Sequence, residues 1–264
     1  MDILQSTFDK HKELMLERVD ADKFVTKEQC EALDRLFVII RNALKDIKEY
    51  SGNKSFKDYK PVDRDIEIVD KETIKVYIPK HITSKLPRLK DSLLIKVVDK
   101  KHEKMDGGKK SIASASIEII KNNVKSIYFR KDILTGKLEN LECAIQHELQ
   151  HITHSAKILG LNTDGDKLSS TIAYLGDDAE ILAFCREYAF RYKKHYPDDK
   201  SVDMNKMKKI LTGDEEVIKI YLEFESPSPS FIKKHSPSEK EKKEMKNIYS
   251  RFTKMLNKYL KCFI

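Results

Sequence analysis

The chain has 264 residues, enough to bury a sizeable core; 40% are hydrophobic, 36% are charged and none is tryptophan, which predicts a folded protein with a heavily solvated surface. No apolar run approaches the roughly 20 residues that a membrane span requires. The net charge of +8 does not describe a uniformly basic protein, because ten Lys/Arg against three Glu between Lys233 and Lys261 carry nearly all of the surplus.

The first stretch, MDILQSTFDKHKELMLERVD, lacks the basic-then-apolar form of a secretory signal. The four cysteines, at 30, 143, 185 and 262, are far apart in sequence and form no CxxC pair. Both features predict a reducing, cytoplasmic setting without a disulfide framework, with a virion as the other location considered.

Thr26 with Gln29 has the form of a capping box. Leu33, Leu36, Phe37, Ile40, Ala43, Leu44 and Ile47 then recur at helical steps, and Gly52 is the expected stop. From 53 to 70 the chain reads as polar and broken. Ile74–Ile78, Leu93–Val98, Ile112–Ile120 and Ser126–Arg130 read as strands, the last two joined through Asn122-Asn123. Asp106-Gly107-Gly108 is a turn signal.

Leu138 to Leu159 predicts one helix closed by Gly160, a loop follows, and a second helix runs from Asp178 to Lys194. Two short helical stretches come after Pro197. SPSPS at 226–230 reads as a breaker, and Ser236-Pro237-Ser238-Glu239 predicts a capped start for a final helix from about 237. Three regions result: an N-terminal helical region at 1–70, a core at 71–196 and a C-terminal helical region at 197–264.

Within the helix over 138–159, CAIQHELQHITHSAKI concentrates three of the eight histidines. His147-Glu148-Leu149-Gln150-His151 is an HExxH motif. Residues four apart on a helix lie on one side of it, so both imidazoles can reach one ion. Glu148 is rotated aside, where it can reach water without being a ligand. Leu138, Leu141, Ile145, Leu149 and Ile152 form a separate apolar face. A third ligand is required, and Glu180 opens the next helix 29 residues after His151, with the small Ala183 one turn on.

HExxH, a spacer of a few tens of residues and a helical ExxA resemble the gluzincin group of zinc metallopeptidases, over about 110–195. The HELQH and AEILAF segments are also similar to those of ImmA/IrrE-type peptidases. The resemblance implies an α+β fold with a zincin-like core: a small mixed sheet, the HExxH helix and the helix of the ligand Glu, flanked by N- and C-terminal helices. It implies Zn2+ held by His147, His151 and Glu180, Glu148 as general base, and Tyr174 as oxyanion stabiliser. An edge strand, either SIYFR or the 112–120 run, would align an extended protein or peptide substrate.

One departure is informative. Several gluzincins carry a carboxylate four residues after the ligand Glu, orienting a histidine, and here that position is Phe184. Glu187, Asp177 and Asp178 are the candidate substitutes. The other reading of the whole chain is therefore a non-catalytic zincin-fold binding or structural protein, such as a component of a phage particle.

The remaining polar residues have plainer roles. His154 reads as a half-exposed polar residue of the same helix or a cleft-lining one, and Cys143 as a small core residue. Asn162, Asp164 and Asp166 hint at calcium but lack the glutamate spacing of an EF-hand. In the last helix, Met245, Ile248, Tyr249, Phe252, Met255, Leu256, Tyr259, Leu260 and Phe263 share one arc, with lysines opposite. The expected use of that arc is docking on the body. The alternatives are an acidic partner, a membrane surface or a nucleic acid.

Overall fold

The computed structural model describes residues 26–50, 65–70, 72–99, 102, 115–153, 168–211 and 216–263. The expectations for Gly52, the 106–108 turn, His154, Gly160 and the Asn162–Asp166 loop lie outside the described residues.

The first described helix, α1 (Lys27–Tyr50), starts at the predicted capping box. The Thr26 amide donates to Gln29 Oε1 at 3.3 Å, and the Gln29 amide donates to Thr26 Oγ1 at 3.2 Å. Two of the donors that every helix start leaves unpaired are thereby satisfied. Its predicted stripe, from Leu33 to Leu44, is buried.

Among the described residues five strands follow: β1 (Ile66–Ile68), β2 (Thr73–Tyr77), β3 (Ser92–Val98), β4 (Ala115–Ile120) and β5 (Asn123–Arg130), with a one-turn helix α2 (Lys80–Thr83) before β3. They form one mixed sheet in the order β1-β2-β3-β5-β4. β3 and β5 run parallel, and the other three pairings are antiparallel. β4 and β5 are joined by the two-residue turn Lys121-Asn122, with φ of 49° and 63°. Two left-handed residues are what a tight hairpin turn demands, and Asn tolerates that region best.

Two strand expectations change. β1 lies within the stretch read as polar and broken, where Ile66 and Ile68 alternate with Glu67, too short a pattern to stand out. SIYFR lies in β5, between β3 and β4, so it is not an edge; among the described strands the outer one on this side is β4.

The helices after the sheet are α3 (Lys131–Thr135), α4 (Leu138–His151), α5 (Leu168–Leu175), α6 (Asp178–His195), α7 (Met204–Ile210), α8 (Glu216–Glu225), α9 (Pro229–His235) and α10 (Glu239–Leu260), closed by a 3-10 turn at Lys261–Phe263. The sequence reading placed 168–175 in a loop. Leu168, Ile172 and Leu175 nevertheless keep helical spacing and are buried. SPSPS does more than break the chain: Ser228 caps α9, accepting from the Phe231 amide, with Pro229 in the first turn. The cap of α10 is Ser238 rather than Ser236, and its box partner is Glu241. Ser236 is left-handed, at φ 44°, and ends α9.

Two large apolar cores result among the described residues. One joins α1, the sheet and α4. The other gathers α5, α6, α7, α8 and α10, with the Tyr221 and Phe252 rings stacked 4.0 Å apart. The apolar arc of α10 is spent here: Met245, Ile248, Phe252, Leu256 and Tyr259 are buried. The described N-terminal helix and the C-terminal helices thus share their cores with the middle of the chain. Among the described residues no helix is long and apolar enough to cross a membrane.

Candidate metal centre

The two cores meet where α4 packs on α6. A ladder of polar contacts fixes the register of these antiparallel helices. Lys194 pairs with Glu142 at 2.7 Å and His195 with Glu139 at 3.0 Å. Arg191 Nε donates to Cys143 Sγ at 3.3 Å, and Arg186 Nε to Gln146 Oε1 at 2.7 Å. The start of α6 is set by Asp177, whose carboxylate accepts from the Ala179 and Glu180 amides at 2.8 and 3.4 Å. Gly176, just before it, has no room for a side chain: a Cβ there would lie 2.7 Å from the Ile172 carbonyl oxygen.

At the sheet end of this seam, His147 and His151 of α4 face Glu180 of α6. His147 Nε2 lies 3.7 Å from Glu180 Oε2, and His151 Nε2 lies 3.9 Å from Glu180 Oε1. One ligand atom from each residue lies within 4.8 Å of the others. Donors bound at about 2.1 Å to a tetrahedral ion sit about 3.4 Å apart, so a small contraction closes this set around a cation. One orphaned atom points the same way: Glu180 Oε2 is buried and has no hydrogen-bond partner among the described residues, a costly arrangement unless something else satisfies it. A buried His-His-Glu group could therefore hold a metal ion.

Glu187 supplies the orienting carboxylate that position 184 lacks. Its Oε2 is 3.1 Å from His147 Nδ1, the geometry in which Nδ1–H donates and Nε2 is left facing Glu180. Of the three candidate substitutes only Glu187 touches a histidine. Asp177 is spent on the helix cap, and Asp178 pairs with Arg251. Phe184 instead packs its ring 4.6 Å from the His147 ring, forming an apolar wall. Replacing Glu187 with Ala is expected to weaken metal binding about 10–100-fold, measured by competition with a chelator, while the circular dichroism spectrum stays that of the parent.

The electrostatics follow from burial and close charges. Burial opposes the His147 imidazolium, but the Glu180 and Glu187 carboxylates outweigh it and raise its pKa well above the ordinary range. Burial lowers His151 to about 4. Burial would raise Glu180, yet His147 and His151 hold it down at about 2. Glu148, only 7% exposed, is pushed up to about 7 by burial, with Glu180 and Glu187 adding to it. Tyr174, on α5, stands beside Glu180; burial and that carboxylate raise its pKa, so it stays a protonated donor. Its ring packs edge-on against Phe184, at 6.2 Å.

Cys143 is buried, as expected, and is no part of this group. Two supporting residues escaped the sequence reading. Arg186 is fully buried and joins Gln146, beside His147, to Asp34 of α1 at 2.6 Å. Arg88 donates to the His151 carbonyl at 3.3 Å and to the Asn122 carbonyl at 3.2 Å, tying the end of α4 to the β4–β5 turn. Neither stands out in the sequence, where an isolated arginine reads as a surface charge. Compared with known protein families, curated proteins and solved structures, the chain matches none.

Proposed function

We propose that the chain is a zinc-dependent peptidase of the gluzincin type. The observation that carries this reading is Glu180: a carboxylate from a second helix meets both imidazoles of an HExxH helix, each through Nε2. Two histidines and one carboxylate are a donor set suited to catalytic zinc, which takes three protein ligands and keeps a position free. A zinc ion held by His147, His151 and Glu180 would polarise a peptide carbonyl and acidify a water molecule.

The chain's own groups do the rest. Glu187 holds the Nδ1–H of His147 and keeps its Nε2 turned inward. Glu148 accepts the proton of the attacking water at its carboxylate and delivers it to the leaving amine nitrogen. Tyr174 donates its hydroxyl proton to the oxygen on which charge develops. β4, the outer described strand on the side of α4, offers a peptide an edge to pair with. A mixed sheet with an antiparallel outer strand beside the HExxH helix fits the zincin arrangement that the sequence resembles. Glu187 also supplies the histidine-orienting carboxylate that position 184 lacks, which supports an ordered metal site.

The test is metal content. Protein reconstituted with zinc and desalted is expected to hold one ion per chain by mass spectrometry, and His147→Ala and Glu180→Ala to hold almost none. Parent protein without zinc, or variants that keep it, would overturn the proposal.

A further inference from the structure

Two of the four cysteines do not stay apart. Cys30, in the first turn of α1, and Cys262, in the 3-10 turn after α10, are 232 positions apart in sequence, yet their sulfurs lie 2.7 Å apart, with the Cys30 thiol donating to Cys262. The other two are isolated and buried: Cys143 bonds to Arg191, and Cys185 donates to the Phe252 carbonyl. Burial pushes Cys143 up to about 12 and Cys185 well above the ordinary thiol range, which makes both inert.

The pair is held from both sides by one side chain. Arg186 bonds Asp34, one helical turn beyond Cys30, at 2.6 Å, and its guanidinium stacks 5.2 Å over the ring of Phe263, next to Cys262. Cys30 is 3% exposed, while Cys262 is half-buried, so Cys262 is the more accessible residue of the pair.

The geometry points to a covalent modification site: a small disulfide of the glutathione type converts Cys30 and Cys262 into an intramolecular disulfide that joins α1 to the C-terminal turn. The Cys262 thiolate attacks one sulfur of the reagent and expels the first thiolate, leaving a mixed disulfide. The hydrogen bond from Cys30 lowers the pKa of Cys262 against the opposing effect of burial, with the charge of Arg186 helping, and favours that thiolate. Cys30 then gives its proton to solvent, and its sulfur attacks Cys262 Sγ, expelling the second thiolate. Two protein thiols are oxidised and one small disulfide is reduced to two thiols, so atoms and electrons balance. An S–S bond is about 2.04 Å long, so the closure needs a movement well under 1 Å. This site is independent of the metal reading, and its test needs neither zinc nor activity.

The experiment incubates the reduced 264-residue chain with oxidised glutathione, then unfolds it in denaturant at low pH to stop exchange, blocks the remaining thiols there with an alkylating agent that acts under those conditions and maps the peptides without reduction. The expected result is an intact monomer with two alkylated cysteines, Cys143 and Cys185, and one peptide linking Cys30 to Cys262. Its melting temperature should rise by about 5–10 °C over the reduced form, since the bond closes a very long loop, and dithiothreitol should reverse the rise. In Cys30→Ser, Cys262 should stop at the glutathione adduct. A lasting glutathione adduct in the parent protein, a dimer linked through Cys262, or four alkylated cysteines would overturn the proposal. The map on the parent protein decides the matter even if the serine variants fold poorly.

Discussion

Glu148→Gln is expected to keep the metal and lose cleavage. Glutamine matches glutamate in size and leaves His147, His151 and Glu180 untouched, so zinc content should stay at one per chain. What it lacks is a basic oxygen. General base catalysis contributes about 10²–10⁴-fold, and the variant should slow by that factor against any peptide the parent protein cuts. Glu148 is only 7% exposed, so bulk water cannot readily replace it as the proton acceptor. The measurement pairs zinc stoichiometry with hydrolysis of a diverse peptide mixture followed by mass spectrometry. A rate within tenfold of the parent's would remove Glu148 from the mechanism. Zinc-loaded parent protein that cuts nothing would return the chain to the binding-module reading.

The part of this centre visible in the sequence was the part written in local spacing. HELQH needs only the 3.6-residue period to put two imidazoles together, and Glu180 needs only a helix starting near Asp178. Glu187 was legible for the same reason, since seven residues are nearly two turns. What spacing cannot express is which helix lies beside which. Cys30 and Cys262 read as unrelated thiols because their contact exists only after α1 and α10 have docked at opposite ends of the chain's history. Arg186 drew no expectation because the sequence does not show that α6 is covered on several sides, by α4, by α10 and by the C-terminal turn. The misread helices have another cause. In α5, Ser169, Ser170, Thr171 and Ile172 are weak helix formers, and burial of Leu168, Ile172 and Leu175 overrides them. In α9, proline marks a first turn as readily as a break.

The buried arginine also makes the stability of this seam testable. Arg186 has 0% exposure, and its guanidinium is held by Asp34 at 2.6 Å and Gln146 at 2.7 Å, with Nη1 left without a partner among the described residues. Asp34 is different, because its side chain is 37% exposed. The two halves of the pair should therefore respond unequally. Asp34→Ala strands a buried cation that water reaches only through the gap left by the carboxylate. Breaking a buried pair from one side costs about 3–5 kcal/mol, and the partial exposure of Asp34 brings the expected loss to the lower end, about 3 kcal/mol. Arg186→Met leaves Asp34 to hydrate and strands only the Gln146 oxygen, a loss of about 1–2 kcal/mol. The double variant should then be more stable than Asp34→Ala alone, because the methionine removes the stranded charge. Urea unfolding of the four proteins measures this directly through the coupling term. Strictly additive losses would mean that the pair contributes nothing to the seam, and that Gln146 and the packing of α6 on α4 hold His147 in place without it.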